Sequence, residues 1–365
     1  MSSDVKKGMP DMWVFLIVMF LVGIGVVMVF SASYYETLSS DPFEYLKRQG
    51  GFACAGFVVM LLAMNFDYQK YRFLSRTLLY LSILLLMAVF LFPDSQGAHR
   101  WIPLGIINLQ PSEVAKFTLA MYMADRLGKR NVDPNDLAGA LGNLLIMLGI
   151  IAYLVVRGPD LGAAITIACI AMAIFVAAGL DWLYVVAAIV MGGAAISVVV
   201  MSNAYQMRRI LGFLDPWADA SNTGYQMVNS YFALGSGGIW GMGFGGSRQK
   251  LGFLPEQNTD FIFSITGEEL GFVGAGSIIL LFLVLAWRGY MIAINCPVLY
   301  GSLLAVGITS SLVIQAALNL AVVTGVVPVT GIALPFLSYG GSSLLMSMGS
   351  AGVLMNISRY QRKRE

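Results

Sequence analysis

The chain has 365 residues, 58% of them hydrophobic and only 12% charged, with a mean hydropathy of +0.76. A soluble domain carries about 25% charged residues, so the composition excludes a soluble globular enzyme and indicates a polytopic helical membrane protein. The net charge of +2 excludes a nucleic-acid binder, and the single histidine, His99, excludes a His-rich metal site.

The start carries Lys6 and Lys7 ahead of an apolar run, with no small-residue cleavage pattern after it, so a retained first helix is expected and not a signal peptide. Runs of spanning length then fall near residues 13–30, 50–64, 77–93, 113–128, 137–156, 161–180, 183–202, 261–287, 298–323 and 341–358. A helix needs roughly 20 residues to cross the hydrocarbon, so the shorter runs should extend into their flanks. The reading is an all-α polytopic membrane protein of ten transmembrane helices, a single integral membrane domain over 1–365. Even parity puts both termini on one side. With the N-terminus cytoplasmic, 13 of the 22 Lys and Arg residues fall inside: Lys6, Lys7, Lys70, Arg72, Arg76, Arg126, Lys129, Arg130, Arg288, Arg359, Arg362, Lys363 and Arg364. The positive-inside rule therefore places both ends in the cytoplasm. Residues 203–260 become one large extracytoplasmic loop between helices 7 and 8.

Polar residues inside such a chain are functional candidates, because each costs about 2.5–3.5 kcal/mol at a helix centre on insertion scales. Arg100-Trp101, ahead of the fourth span, suits an interfacial anchor. Glu113 and Lys116, after Pro111, are three residues apart and share a helix face; an internal ion pair and a pair lining a polar cleft are both consistent with that spacing. Arg208 and Arg209 suit either a phosphate clamp or contact with lipid headgroups. Seven glycines lie between Gly235 and Gly246, followed by Arg248 and Lys250. That stretch reads as a loose loop or an anion nest; no Gly-Lys-Ser/Thr follows it and no strand precedes it, which excludes a P-loop and a dinucleotide fingerprint. Asp260 sits at the lip of the eighth span, hydrated enough to stay charged and near enough to the bilayer to meet a lipid headgroup. Glu268 and Glu269, deeper in that span, suit pairing with a lysine or with a neighbouring backbone. Residues 330–343, Thr-Gly-Ile-Ala-Leu-Pro-Phe-Leu-Ser-Tyr-Gly-Gly-Ser-Ser, break the helix at the outer end of the last span. Irregular backbone at that depth survives only where it is buried or lines a cavity.

These motifs, in this order, resemble the SEDS family (shape, elongation, division and sporulation), and within it the FtsW/SpoVE branch. The resemblance covers essentially the whole chain. It rests on Gln110-Pro111-Ser112-Glu113, Pro159-Asp160-Leu161-Gly162, Leu254-Pro255-Glu256, Thr259-Asp260-Phe261-Ile262-Phe263, Glu268-Glu269-Leu270-Gly271 and Pro335-Phe336-Leu337-Ser338-Tyr339-Gly340-Gly341-Ser342. It implies a peptidoglycan glycosyltransferase of the cell membrane. The family polymerises lipid II, the undecaprenyl-pyrophosphate-linked disaccharide peptide, on the outer face of the cytoplasmic membrane, beside a class B penicillin-binding protein. The family's essential aspartate falls on Asp260 and its polar cleft residues on Glu113 and Lys116. Two departures are Gly158, where the family usually has Gln, and Asn258, where a His or another polar residue is common; Asn258 is not expected to act as the base.

On this expectation Asp260 is the general base on the acceptor hydroxyl, or holds a divalent cation, Mg²⁺ or Mn²⁺, beside the pyrophosphate. Substrate contacts are expected from Glu113, Lys116, Arg208, Arg209, Arg248, Lys250, Ser338 and Ser342. The rival expectations are a lipid II flippase and a non-catalytic scaffold. The absence of a detectable inverted repeat and of a polar cleft in the inside loops leans against transport.

Overall fold

The computed structural model describes residues 8–38, 41–93, 99–105, 107–129 and 132–360. Among the described residues it contains twelve α-helices: α1 (Met12–Ser33), α2 (Glu44–Asn65), α3 (Tyr68–Ala88), α4 (Pro111–Leu127), α5 (Ala140–Arg157), α6 (Leu161–Ala178), α7 (Trp182–Ser202), α8 (Ala204–Leu214), α9 (Tyr225–Gly237), α10 (Ile262–Asn295), α11 (Leu299–Val323) and α12 (Gly341–Ser358). A two-residue antiparallel ladder, β1 (Ile102–Pro103) with β2 (Asn108–Leu109), leads into α4. Lys6, Lys7, Arg130, Arg362, Lys363 and Arg364, used above to orient the chain, lie outside the described residues.

Eight of these helices, α1, α2, α3, α5, α6, α7, α10 and α11, are long and apolar enough to cross a membrane. The ten expected runs include α4 and α12 as well. Both are too polar or too short by that measure, and both are the most protein-enclosed helices of the bundle: α4 buries 14 of its 17 residues and α12 buries 14 of its 18. A helix surrounded by other helices need not be greasy, since its polar side chains meet protein and not lipid. At the other extreme α7 buries only Val185 and stands at the periphery against α8.

Helix ends differ from the expected runs where charge is accommodated. α2 starts at Glu44 and α3 at Tyr68, several residues before the apolar runs, because a helix continues through the headgroup zone when charges such as Lys47, Arg48 and Arg72 find acidic partners. α10 runs on to Asn295 because Arg288 pairs with Asp11 at the start of α1. Gly8 N–H donates to the Arg359 carbonyl (2.8 Å) and Asp11 N–H to Ser358 Oγ (2.9 Å). Both ends of the described chain therefore meet at one end of the bundle. Arg359 also reaches Asn65, between α2 and α3, so the even-numbered crossings return to that end. The connections α3–α4, α5–α6, α7–α10 and α11–α12 all lie at the opposite end.

The large 203–260 segment is not a loose loop. It holds α8 and α9, and its glycine-rich part wedges into a break in α10. Gly271 has a left-handed φ of +68° inside α10. The freed groups are taken up by the glycine stretch: Met242 N–H donates to the Glu268 carbonyl (2.9 Å), Gly243 N–H to that of Glu269 (3.1 Å) and Phe272 N–H to that of Gly238 (2.8 Å). A Cβ on Gly241 would lie 2.1 Å from the Glu269 carbonyl oxygen, and one on Gly271 would lie 2.2 Å from the Gly241 nitrogen. Gly237 and Gly241 are required by this backbone approach, and Gly238, Gly243 and Gly245 by their positive φ.

Candidate functional site

A cavity of about 590 Å³ opens at the end of the bundle opposite the termini. Its wall is assembled from Arg100 before α4, Glu113 and Lys116 of α4, Asp160 before α6, Arg209 of α8, Glu256 and Asp260 before α10, Gln315 of α11 and the irregular 324–340 segment. Gly331 is its focal point. This residue has φ +75°, which a glycine adopts without steric cost. A methyl group placed on it would sit 3.4 Å from Asp260 Oδ2, 3.4 Å from Arg100 Nη1 and 4.0 Å from Arg209 Nη1. One carboxylate and two guanidiniums thus face a single vacant spot. Among the described residues, no ion pair within 4 Å joins Asp260 to either arginine. Each guanidinium is instead fixed by a backbone carbonyl, Arg100 by that of Pro159 and Arg209 by that of Val329 at 3.1 Å.

Asp260 is held through its backbone. Asn319, buried on α11, donates its amide to the Asp260 carbonyl (2.7 Å) and to the Ile332 carbonyl (2.7 Å). One turn deeper, Gln315 donates to the Ala333 carbonyl (3.0 Å) and accepts from Lys116. Ser338 Oγ donates to the Thr259 carbonyl (2.6 Å), and Tyr339 N–H to that of Asn258 (2.8 Å). The broken-helix segment and the turn before α10 are therefore pinned to each other and to α11, which fixes Gly331 opposite Asp260. An Asn319→Leu chain is expected to keep its substrate KM within about threefold and to lose about tenfold or more in kcat, since near-attack geometry and not binding is disturbed. Steady-state kinetics on a folded sample check this, and a KM rise with kcat intact would show that Asn319 does not position Asp260.

Asp260 lies just before α10 and shows part of its surface to the cavity. Burial pushes its carboxyl up to about 7, the neighbouring Glu256 charge adds to that, and Arg209 and Arg100 oppose it. Glu256 is itself in a strained left-handed conformation (φ +54°), with its carboxylate accepting from the Thr259 hydroxyl at 2.8 Å. Deeper in the cavity Lys116 pairs with Glu113 at 2.8 Å, both nearly sealed from solvent. The pair is at once an internal salt bridge and a cleft lining, so both alternatives open at the sequence level hold.

The structure brings Asp260, Glu113, Lys116 and Arg209 into one cavity. It places the other five candidates elsewhere. Arg208 and Arg248 point to the exterior. Ser338 is buried as a clamp on the 331–340 turn, accepting from Leu334 N–H, and Ser342 is buried accepting from Gln110 N–H. Lys250 is buried in a separate cluster with Glu269 (2.8 Å) and Ser31 (3.0 Å). Beside it Glu268 accepts from Ser236, Ser247 and the Arg248 and Gln249 amides. These acids fasten the glycine-rich segment and take no part in the cavity. Arg100, Asp160 and Gln315 line the cavity without having been expected there as site residues; Arg100-Trp101 had the signature of a headgroup anchor.

Asp260 is the cavity carboxylate that would hold the divalent cation that the sequence allowed for, one or two protein carboxylates sufficing where a substrate phosphate supplies further oxygens. Among the described residues no group of three or more His, Cys, Asp and Glu side chains is placed to hold a metal, and two guanidiniums face Asp260 where a cation would sit.

The family model described as Cell cycle protein (FtsW/RodA/SpoVE) matches residues 12–363. Stage V sporulation protein E of Bacillus subtilis (strain 168) is 42% identical over 98% of this chain and 99% of its own length. The probable peptidoglycan glycosyltransferase FtsW of Geobacter sp. (strain M18) is 42% identical over 96% of this chain and 97% of its own. Among solved structures, a chain from a peptidoglycan synthase complex that coordinates polymerization and crosslinking superposes with a TM-score of 0.78 at 29% identity, covering 97% of this chain and 99% of that one. The Thermus thermophilus rod shape determining protein RodA superposes with a TM-score of 0.72 at 26% identity, covering 97% and 98%. With the profile, the full-length relatives and the fold in agreement, the chain belongs to the FtsW/RodA/SpoVE family of membrane proteins, the SEDS family.

Proposed function

We propose that this chain is a peptidoglycan glycosyltransferase that polymerises lipid II at the outer end of its central cavity, with Asp260 as general base. The chain is a multi-pass protein of the cytoplasmic membrane. The observation that carries the reading is the approach of one raised-pKa carboxylate to two fixed guanidiniums at Gly331. Glycan polymerisation needs a base for a sugar hydroxyl and positive charge for a departing pyrophosphate, and the cavity offers both. Asp260 takes the proton of the acceptor 4-hydroxyl as that oxygen attacks the anomeric carbon. The bond from that carbon to the pyrophosphate oxygen breaks, and the leaving group keeps the electron pair. Purified chain given lipid II, with and without a class B penicillin-binding protein, should yield glycan strands on a gel; no polymer under either condition would end the reading.

Sidedness belongs to the same proposal. With α4 and α12 counted as spans the chain crosses ten times, and both termini and the Lys/Arg-rich connections share one side. A cysteine placed at Ser221 should react with an impermeant thiol reagent on intact cells, and one at Lys129 should not. The reverse pattern would put the cavity in the cytoplasm and remove access to the cell wall. Cooperation with a class B penicillin-binding protein is supported by the peptidoglycan synthase complex to which the fold is similar.

A further inference from the structure

The α4–α5 connection lies at the end of the bundle that carries both termini. It encloses a second cavity of about 200 Å³, which shares no residue with the first and is lined by Arg126, Lys129, Val132, Gly139, Ala140 and Asn143. Arg126 stands in the last turn of α4, and Lys129 follows just past its end. Arg126 Nε donates to the Tyr122 hydroxyl (3.2 Å), one turn back, and the guanidinium lies over that ring, 5.3 Å from its centroid. Neither its terminal nitrogens nor the Lys129 ammonium has an acceptor or an acidic partner among the described residues.

The acids nearby are engaged elsewhere. Asp125 pairs with Arg72 (2.7 Å). Asp133 accepts from the Asn135 amide (2.9 Å). Asp136 accepts from the Ala138 and Gly139 amides (3.1 Å each), and its carbonyl takes the Leu141 N–H (3.0 Å). Asp136 stands close to the cavity, since a Cβ on Gly139 would meet its Oδ2 at 2.3 Å, but it does not line it. That leaves the N–H of Ala140, the first residue of α5, without an acceptor among the described residues. The first amides of a helix have no partner within it, and the positive end of the helix dipole favours an anion. Two unpaired cations from one helix and one unpaired amide from the next therefore line the cavity, and no carboxylate does.

We propose that this corner is a binding site for a phosphate group, carried by an anionic lipid of the cytoplasmic leaflet or free in solution. Arg126 is held in place by Tyr122 and presents a planar donor edge, the geometry that suits two phosphate oxygens. Lys129 adds a point charge and Ala140 a backbone donor. Cations that served only to orient the chain in the membrane would need no such enclosure, yet Arg126 and Lys129 are both half-buried. The volume is below the roughly 300–1,000 Å³ of a pocket for a drug-sized ligand, and it suits one headgroup phosphate whose acyl chains stay in the bilayer. With the N-terminus inside, the corner lies at the level of the inner headgroups, where the negative charge of the leaflet attracts Lys and Arg. The site does not depend on the polymerase reading. α4 runs from this corner to Glu113 and Lys116, so a bound phosphate ties the inner end of the helix that carries that pair to the membrane surface.

The test uses the purified full chain in detergent and follows the rise in melting temperature as each probe is added. The probes are soluble short-chain phosphatidylglycerol, phosphatidylcholine of the same chain length, and inorganic phosphate. Wild type should bind phosphatidylglycerol more tightly than phosphatidylcholine, whose own cation offsets the phosphate charge. Arg126→Gln and Lys129→Gln should each weaken phosphatidylglycerol binding by about fivefold or more, whereas Lys70→Gln, which removes an exposed cation at the same end of the bundle, should change it by less than about twofold. Lys129, beyond the end of α4, serves as the independent arm should Arg126→Gln fail to fold. Inorganic phosphate that binds as tightly as phosphatidylglycerol, and is lost in the same two variants, keeps the site and assigns it to free phosphate. Binding of neither probe overturns the proposal. So does phosphatidylglycerol affinity that is unchanged in a folded variant of either cation, or that falls as far in Lys70→Gln.

Discussion

Asp260→Asn should reduce glycan polymerisation to near background while leaving a folded protein. The substitution keeps size and hydrogen-bonding capacity and removes the charge and the basicity. General base catalysis alone contributes about 10²–10⁴-fold, and the strand-length gel should show the loss directly. Stability should not suffer. The backbone carbonyl that Asn319 grips is unchanged, and an amide at this half-enclosed boundary is cheaper to bury than a carboxylate. The sign of the pH effect follows from the raised value of about 7. An acid whose folded pKa lies above its unfolded value binds more protons when folded in the window between the two. Its folding stability is therefore fully present below the unfolded value and falls as pH rises toward 7. The Asn chain should accordingly match wild type in melting temperature at low pH and exceed it at pH 8. Catalysis runs the other way, because a base must be ionised: wild-type turnover should climb as pH rises through about 7. Wild-type strand lengths from the Asn chain would take Asp260 out of the mechanism, and a pH-independent rate between 6 and 8 would remove its role as base.

Much of this molecule is written into the order of its residues, and what is not has identifiable causes. The apolar runs marked all ten long segments because hydrocarbon demands length and low charge locally. Even α4 and α12, polar enough to fail a strict hydropathy criterion, were found as runs between charged flanks. The position of Asp260 in the cavity wall was legible because an acid at the lip of a span is costly without a partner or a use. Which of two adjacent cations would reach the cavity was not legible. Arg208 and Arg209 are consecutive on α8 and so point about 100° apart; only the seating of that helix decides that Arg209 faces inward and Arg208 outward. Arg100 was hidden for a related reason. Beside Trp101 it carries the composition of a membrane-surface anchor, and its role appears only when Pro159, 59 residues on, supplies the carbonyl that turns it inward. The glycines between 235 and 246 misled in the opposite direction. Composition alone cannot separate a flexible loop from a segment whose backbone must touch another backbone, and the partner, the break at Gly271, is invisible until α10 is seen to kink.

Lys250→Met should be the most destabilising single change outside the cavity, with no direct effect on the chemistry. Lys250 and Glu269 are 2.8 Å apart with side chains 2% and 0% exposed. Removing one partner of a buried pair strands the other charge and costs about 3–5 kcal/mol. The two neighbouring glutamates differ in what they rely on. Glu268 is met by two hydroxyls and two backbone amides, whereas Glu269 depends on Lys250, on Ser31 at 2.7 Å and on the Ser247 amide at 3.4 Å. Loss of the lysine therefore leaves Glu269 undercompensated roughly 10 Å inside α10. The effect should be a large drop in detergent melting temperature and early proteolysis within 236–250, the segment that the cluster fastens to α10 and α1. Replacing both partners with apolar residues, Lys250→Met with Glu269→Leu, removes the stranded charge and should recover most of the loss, because a buried pair is often no better than well-packed side chains of similar volume. The recovered double variant should also polymerise at close to the wild-type rate, since neither residue lines the cavity. A stable double variant with no activity would return Lys250 to the substrate site, and a single variant as stable as wild type would show that the cluster does not hold the segment.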